Sequence, residues 1–402
     1  MKTRRLIAAA LLSAGATLAW AQQGVSKTEI VIGSIQDLSG PIAGFGKQAR
    51  NGMQLRIDEL NEQGTIHGRK LKLLVEDSAY DPRKAVLAAQ KLVNQDKIFA
   101  MVQHLGTAQN NAALPVQLEK NVINWFPLTS SRDMFDPYHR LKFAFAASYF
   151  DQMRVAVPRL MKEKGAKKPC TIYQDDDFGL EVMRGAEAGL KTMNMEFAEK
   201  TSYKRGATDF SSQVARMKAA GCDFVVMGTI IRETIGTIAE SRKTGFTPTF
   251  LGSNAAYTDL IHRLGGKAMD GFYATMTVQN PYLDEANNQL RFWANKYKTK
   301  YGEDPTVFSV YGYTAIDAFI QVAQRAGPNL TVDSFVKAAE AHQFPQDIFG
   351  SPVSRFGPKV RQGSDVARLS QLQDARWKVV SDYFKCAAEP AGRVHGPRPA
   401  AP

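Results

Sequence analysis

The chain has 402 residues, 44% of them hydrophobic, enough for two cores of ordinary domain size at roughly 100 to 200 residues each. Its formal charge of +12, from 51 basic and 39 acidic side chains, is spread along the sequence without a basic-aromatic array, which argues against a nucleic-acid partner. Six histidines with no pair at ligand spacing and three cysteines with no CxxC argue equally against a metal centre.

At the amino end, Lys2, Arg4 and Arg5 precede an almost wholly apolar or small run from Leu6 to Leu18. Ala19-Trp20-Ala21 then places small residues at both cleavage-reading positions. Residues 1–21 read as a secretory signal, and the mature chain is expected to begin near Gln22, outside the cytoplasm. The run is too short for an ordinary membrane span, and no other stretch approaches about 20 uninterrupted apolar residues. No cysteine stands at the cleavage point to take a lipid.

Glu29 to Ile35 (EIVIGSI) predicts an opening strand, and Ala49, Met53, Ile57 and Leu60 put an apolar stripe on the helix that follows. Leu71 to Val75 is a second strand. Asp81-Pro82 is a helix cap with proline at the first helical position. Phe99 to Val102, a helix from Thr107 and a strand from Val122 to Phe126 continue a βα alternation expected of a parallel sheet covered on both faces. A second series starts with a helix through Val155 and Met161, then Cys170 to Asp175 (CTIYQD) and a helix from Phe178. Phe197 to Tyr203, a helix through Val214 and Met217, Cys222 to Gly228, another helix, Thr249 to Ser253 and Gly271 to Met276 complete it. Two long helical patterns, through Leu290, Trp293 and Tyr297 and through Tyr313, Ile316 and Phe319, come too late for the second lobe and should return to the first. Beyond them the composition turns to proline, alanine and glycine, predicting a disordered tail at 385–402 with Cys386 free or intermolecular.

Gly44-Phe45-Gly46-Lys47-Gln48-Ala49 matches GxGxxA, and Asp77 ends the second strand, an imitation of a dinucleotide fingerprint. The first glycine lies too far beyond the strand end for that role. The glycines instead shape a loop at the carboxyl edge of the sheet, which keeps Phe45 of interest. Asp175-Asp176-Asp177 suggests acid-base chemistry or a metal, but consecutive side chains splay around a turn and an aspartate before a helix is an ordinary cap. No GxSxG elbow or paired nucleophile and base occurs. His104-Leu105-Gly106-Thr107 opens a helix with a hydroxyl and free amides suited to a carboxylate, and Leu128-Thr129-Ser130-Ser131 offers a second such cluster on the next strand end.

In order along the chain, IVIGSIQDLSGPIAGFG, NGMQLRIDELNEQG, GRKLKLLVEDSAYDP, YQDDDFG, TDFSSQVARMKAAGCDFVV and YGYTAIDAFIQVAQRAG resemble a type I periplasmic binding protein of the branched-chain amino acid (Leu/Ile/Val-binding) family. The resemblance covers nearly the whole mature chain. It implies an α/β fold of two Rossmann-like lobes joined by a three-crossing hinge, a clamshell that closes on a ligand. Lobe one would comprise 27–146 plus 277–355, and lobe two 147–276 plus 356–384. It further implies a monomeric periplasmic receptor of an ABC importer, with a small-molecule ligand and a membrane permease as partners, no cofactor and no chemistry. Carried over by position, Thr107 and Ser130 would hold a ligand carboxylate beside the backbone of Leu128, and Phe45 and Phe178 would flank the ligand body. The family's amine-binding positions fall on Ile230 and Asn254, where amino-acid binders place a tyrosine and a glutamate. That departure favours an aromatic or hydrophobic carboxylate. A branched-chain or other neutral amino acid, an amide, a ligand-sensing role beside a membrane sensor kinase or chemoreceptor, and a hydrolase using the aspartate cluster are the alternatives. In the usual strand order Cys170 and Cys222 start neighbouring strands, so they form either a disulfide or two buried thiols.

Overall fold

The computed structural model describes residues 21–386; the signal expected at 1–21 and the tail expected at 385–402 therefore lie almost wholly outside the described residues. Lobe one is built on β1 (Glu29–Gln36), α1 (Ala43–Gln63), β2 (Lys70–Asp77), α2 (Pro82–Gln90), β3 (Ala100–Val102), α3 (Thr107–Glu119), β4 (Ile123–Trp125) and β5 (Lys142–Phe143). Its sheet runs β2-β1-β3-β4-β5, every neighbour parallel. The α2 cap forms as the sequence dictates, Asp81 accepting from the Arg83 and Lys84 amides with Pro82 at the first helical position.

The chain then crosses into lobe two, which contains α4 (Tyr149–Lys164), β6 (Pro169–Gln174), α5 (Asp177–Lys191), β7 (Glu199–Tyr203), α6 (Ser211–Ala219), β8 (Phe224–Gly228), α7 (Arg232–Lys243), β9 (Thr249–Gly252), α8 (Leu260–Gly265) and β10 (Tyr273–Met276). It recrosses to supply α9 (Asn288–Tyr301), α10 (Val307–Ala326), α11 (Val332–Ala341) and a short pair, β11 (Gln343–Phe344) with β12 (Ser354–Arg355). A third crossing delivers β13 (Val366–Gln373), β14 (Arg376–Val379) and β15 (Phe384–Lys385) to the second sheet. That sheet runs β14-β13-β10-β9-β8-β6-β7, with β13 antiparallel to β10 and β15 paired to β13.

The late helices join lobe one through a close backbone approach. A Cβ at Gly52 of α1 would overlap the Ser309 carbonyl of α10, and one at Gly312 of α10 would overlap the Ala49 carbonyl of α1. The absence of side chains at these two positions lets the helices meet backbone to backbone. Beneath them Trp125 stacks near Phe126 and meets Phe319 and Phe335 edge-on, while its indole N–H donates to the Ala315 carbonyl at 3.0 Å.

In lobe two the β6–β8 pairing brings Cys170 and Cys222 together as a disulfide with Cα atoms 5.9 Å apart. The carboxyl end departs from the sequence expectation. Lys385 is in β15 and Cys386 is a buried free thiol, because Ala367 and Val366 pair with Phe384 and Lys385 and the Cys386 amide donates to Asp365. The disordered tail expected from 385 therefore cannot include those two residues.

Candidate functional site

The two sheets point the ends of β1, β3 and β4 in lobe one toward β6, β8 and β9 in lobe two, and the loops after these strands enclose a small cavity. Asp37 organises the first loop, its carboxylate accepting from the amides of Ser39, Gly40 and Ile42. Gly46 sits in the first turn of α1 against the Asp37 carbonyl, so the GxGxxA glycines serve packing of the loop and leave Phe45 buried at the cavity wall. Asp77, the other half of the imitated fingerprint, accepts from the Leu38 and Ala79 amides and the Ser39 hydroxyl. Burial raises its carboxyl, but those hydrogen bonds more than offset this and hold it below the usual carboxylate range.

Gly106, at φ +103°, turns the chain into α3 so that Thr107 is the first helical residue. The amides of that first turn have no intrahelical acceptor and face the cavity end. Thr107 Oγ1 lies 2.7 Å from Thr129 Oγ1, and Ser130 Oγ accepts from Asn254 Nδ2 of lobe two at 3.0 Å. Leu128 binds the preceding loop with both main-chain groups, its amide to the His104 carbonyl at 2.8 Å and its carbonyl to the Gly106 amide at 3.3 Å. The main chain of Leu128 thus holds the two strand ends in register, and its side chain lines the cavity.

The remaining walls are apolar and mostly aromatic. Phe45 stacks on Phe308 with ring centroids 3.4 Å apart, and Phe178 meets Tyr149 edge-on at 5.2 Å. Ile230, Tyr80, Phe145 and Tyr311 complete the enclosure. All seven residues singled out from the sequence (Phe45, Thr107, Leu128, Ser130, Phe178, Ile230 and Asn254) line this one space. Thr129, of the hydroxyl cluster read from the sequence, lines it too, as do Tyr80, Tyr149, Phe308 and Tyr311, which sequence reasoning misses. Two buried polar atoms here lack partners, Asn254 Oδ1 and the Tyr311 hydroxyl. No lysine, arginine, histidine, aspartate or glutamate is part of the lining.

Lobes one and two are in contact around this space. Gln174 donates to the Tyr80 hydroxyl at 3.1 Å, Asn111 to Asp177 at 3.0 Å, and Arg132 pairs with Glu181 at 2.9 Å. The cavity is about 40 Å³, well below the roughly 300 to 1,000 Å³ typical of small-molecule sites. The three consecutive aspartates diverge as the turn argument requires: Asp176 caps α5, Asp177 meets Asn111, and Asp175 pairs with Lys204. They do not form an acid-base pair. Burial raises the carboxyl of Asp176, against hydrogen bonds from Gln174 and the Gly179 amide and the nearby charge of Arg205.

Two buried ionisable groups stand just behind the lining. His104 is fully buried with neither ring nitrogen bonded, and that burial pushes it down to about 3. Glu233, at the start of α7, accepts from the Ile230 amide at 3.3 Å; burial raises its carboxyl, and it has no ion-pair partner among the described residues.

Comparison with known proteins agrees with this geometry: a family model described as periplasmic binding protein matches residues 29–376. The chain belongs to the periplasmic binding protein family. Within it, the chain is 25% identical to a Leu/Ile/Val-binding protein homolog from Brucella abortus, covering 95% of this chain and 96% of that one. It is 25% identical to an amino acid binding protein from Pseudomonas aeruginosa over 75% of this chain and 80% of the other. Among solved structures, a leucine binding protein from Thermotoga maritima superposes with TM-score 0.77 at 17% identity, over 88% and 98% of the two chains. A fatty acid ABC transporter substrate-binding protein from Thermomonospora curvata gives TM-score 0.81 at 21% identity, over 90% and 94%. The superpositions show the two-lobe α/β fold of type I periplasmic binding proteins. Among the described residues no helix is long and apolar enough to cross a membrane.

Proposed function

We propose that this periplasmic binding protein captures a small aromatic or otherwise hydrophobic carboxylic acid for an ABC importer. The observation that carries the reading is the lining itself. Thr107, Thr129 and Ser130 gather hydroxyls at the amino end of α3, opposite a wall of Phe45, Phe308, Phe178 and Tyr311, with no acidic side chain to receive an ammonium group. Closing two lobes over an unpaired ammonium would cost several kcal/mol by the ordinary desolvation argument, roughly a thousandfold in affinity. An aromatic acid avoids that cost, and burying a group of side-chain size adds roughly 1.5 to 3 kcal/mol.

A second reading, a neutral amino acid, draws support from the names of the relatives and from Glu233, a buried carboxyl without an ion-pair partner next to the Ile230 amide. Calorimetry and thermal unfolding with benzoate, a phenylpropenoate and leucine separate the two. The first reading expects the aromatic acids to raise the melting temperature more than leucine does, and expects Thr107→Ala to weaken them. Tight leucine or valine binding with no response to aromatic acids would replace it with the second.

A further inference from the structure

A cavity much larger than the interlobe space is bordered by the crossings between the lobes, on the other side of the Phe145 and Tyr311 rings. Those two rings, 5.5 Å apart, belong to both linings. The chamber measures about 550 Å³, within the range of roughly 300 to 1,000 Å³ typical of small-molecule sites. All three crossings contribute to it: Phe145 and Ala146 from the first, Thr277 and Val278 from the second, Ser364 from the third. The outer wall comes from α10 and from the segment between β11 and β12.

Its chemistry is opposite to that of the cleft. Two carboxylates, Asp317 and Asp347, line it, and no lysine, arginine or histidine does. Asp317 is already satisfied, by Arg56 at 2.8 Å and Gln321 at 2.7 Å. Asp347 is not. Its Oδ1 accepts from the Phe349 amide at 2.9 Å and the Ser351 amide at 3.1 Å, but no lysine, arginine or histidine pairs with it among the described residues, and burial raises its carboxyl against the hydrogen bonds from Ser351 and Phe349. Phe126, Tyr313, Phe344 and Phe349 add aromatic rings to the same lining. A carboxylate oxygen without a counter-charge, inside an aromatic-walled chamber, is the arrangement that recognises an organic cation.

We propose that the hinge chamber is a second ligand site, for a small arylalkyl ammonium ion, with Asp347 holding the charged head and the aromatic walls holding the body. It is independent of the cleft reading, since a carboxylate ligand is repelled by the chamber. Because all three crossings border it, an occupant also braces the hinge in one setting.

The test uses the mature full-length protein at pH 7, titrated by calorimetry with phenethylammonium, with phenethyl alcohol as the neutral probe and 3-phenylpropionate as the anionic one. The cation should saturate one site and bind at least ~10-fold tighter than the alcohol. Asp347→Asn keeps a carbonyl oxygen for the two amides and should weaken the cation ~10-fold or more. Thr314→Trp fills the chamber from α10 and should abolish binding, whereas Phe178→Ala in the cleft should leave it unchanged. No binding of the cation at 10 mM, no preference over the alcohol, equal binding in both chamber variants or loss in Phe178→Ala would each overturn the proposal. If either chamber variant misfolds, the probe comparison on the unaltered protein and on Phe178→Ala still decides.

Discussion

Replacing Asn254 by aspartate tests where the ligand charge sits. Asn254 is 5% exposed and its amide donates to Ser130 Oγ at 3.0 Å across the cleft. Asn254→Asp keeps the shape, removes that donor and places a negative charge against the hydroxyl proposed to hold the ligand carboxylate. A carboxylate seated on Ser130 would lie roughly 5 Å from the new one, and two like charges at that distance repel by about 3 kcal/mol at an effective dielectric of ~20. The lost hydrogen bond adds ~1 kcal/mol. Benzoate affinity should therefore fall by at least ~100-fold at neutral pH. An amino acid presents an ammonium group as well, and the same substitution should leave its affinity unchanged or raise it. Calorimetry at pH 7 with both ligands reads the difference, with thermal unfolding of the ligand-free variant as the control for folding. Benzoate binding within about threefold of the unaltered protein would show that no ligand carboxylate rests near Ser130.

Three further outcomes follow from the packing. Gly312→Ala forces a Cβ into the Ala49 carbonyl of α1 and should cost about 3 kcal/mol, the upper end of ordinary overpacking, in denaturant unfolding; an unchanged midpoint would mean that α1 and α10 can separate freely. His104 stays neutral in the folded chain down to about 3, while in the unfolded chain it takes up a proton near its ordinary value, so acidification favours unfolding. Stability contributed by keeping this ring neutral is complete above about pH 6.5 and should drop by about 2 to 3 kcal/mol by pH 4.5, and His104→Leu should flatten that slope by about one proton; identical slopes would refute the assignment. The double variant Cys170→Ala, Cys222→Ala opens a loop with a separation of 52 residues and should lose about 4 kcal/mol by the chain-entropy argument, which equal melting of the oxidised and reduced protein would contradict.

The strand and helix alternation is legible in the sequence because parallel strands covered on both faces must be apolar throughout, as FVVMG of β8 is. Thr107 and Ser130 are legible for a different reason: strand ends followed by hydroxyl residues and a helix start have few other arrangements. Phe308 and Tyr311 are not. They reach the cavity only because α10 docks on α1 from the far end of the chain, and helical periodicity reports which residues share a face without reporting what that face meets. Tyr80 and Tyr149 likewise depend on the approach of the opposite lobe. Residues 356–384 read from the sequence as a segment of lobe two without strands, because VARLSQLQ of β13, with Leu369 and Ser370 both buried, departs from the strict alternation of a half-covered strand. Lys385 and Cys386 read as tail because composition cannot see one more edge pairing.

The meeting of α1 with α10 also sets the order in which the protein can assemble. Gln48 accepts from the Thr306 amide across 258 positions of sequence, so lobe one has no complete interior until nearly the last quarter of the chain is available. Lobe two has an almost continuous stretch from Tyr149 to Met276 and lacks only its final antiparallel strands. Loop closure over such a span is slow compared with local pairing. A nascent chain should therefore carry the five-stranded first sheet, covered by α2 and α3 but still lacking α10 and α11 on its other face, past a second lobe that is nearly complete. Until α10 docks on α1, Phe308 and Tyr311 are missing from the cavity wall and there is no complete cleft to bind anything.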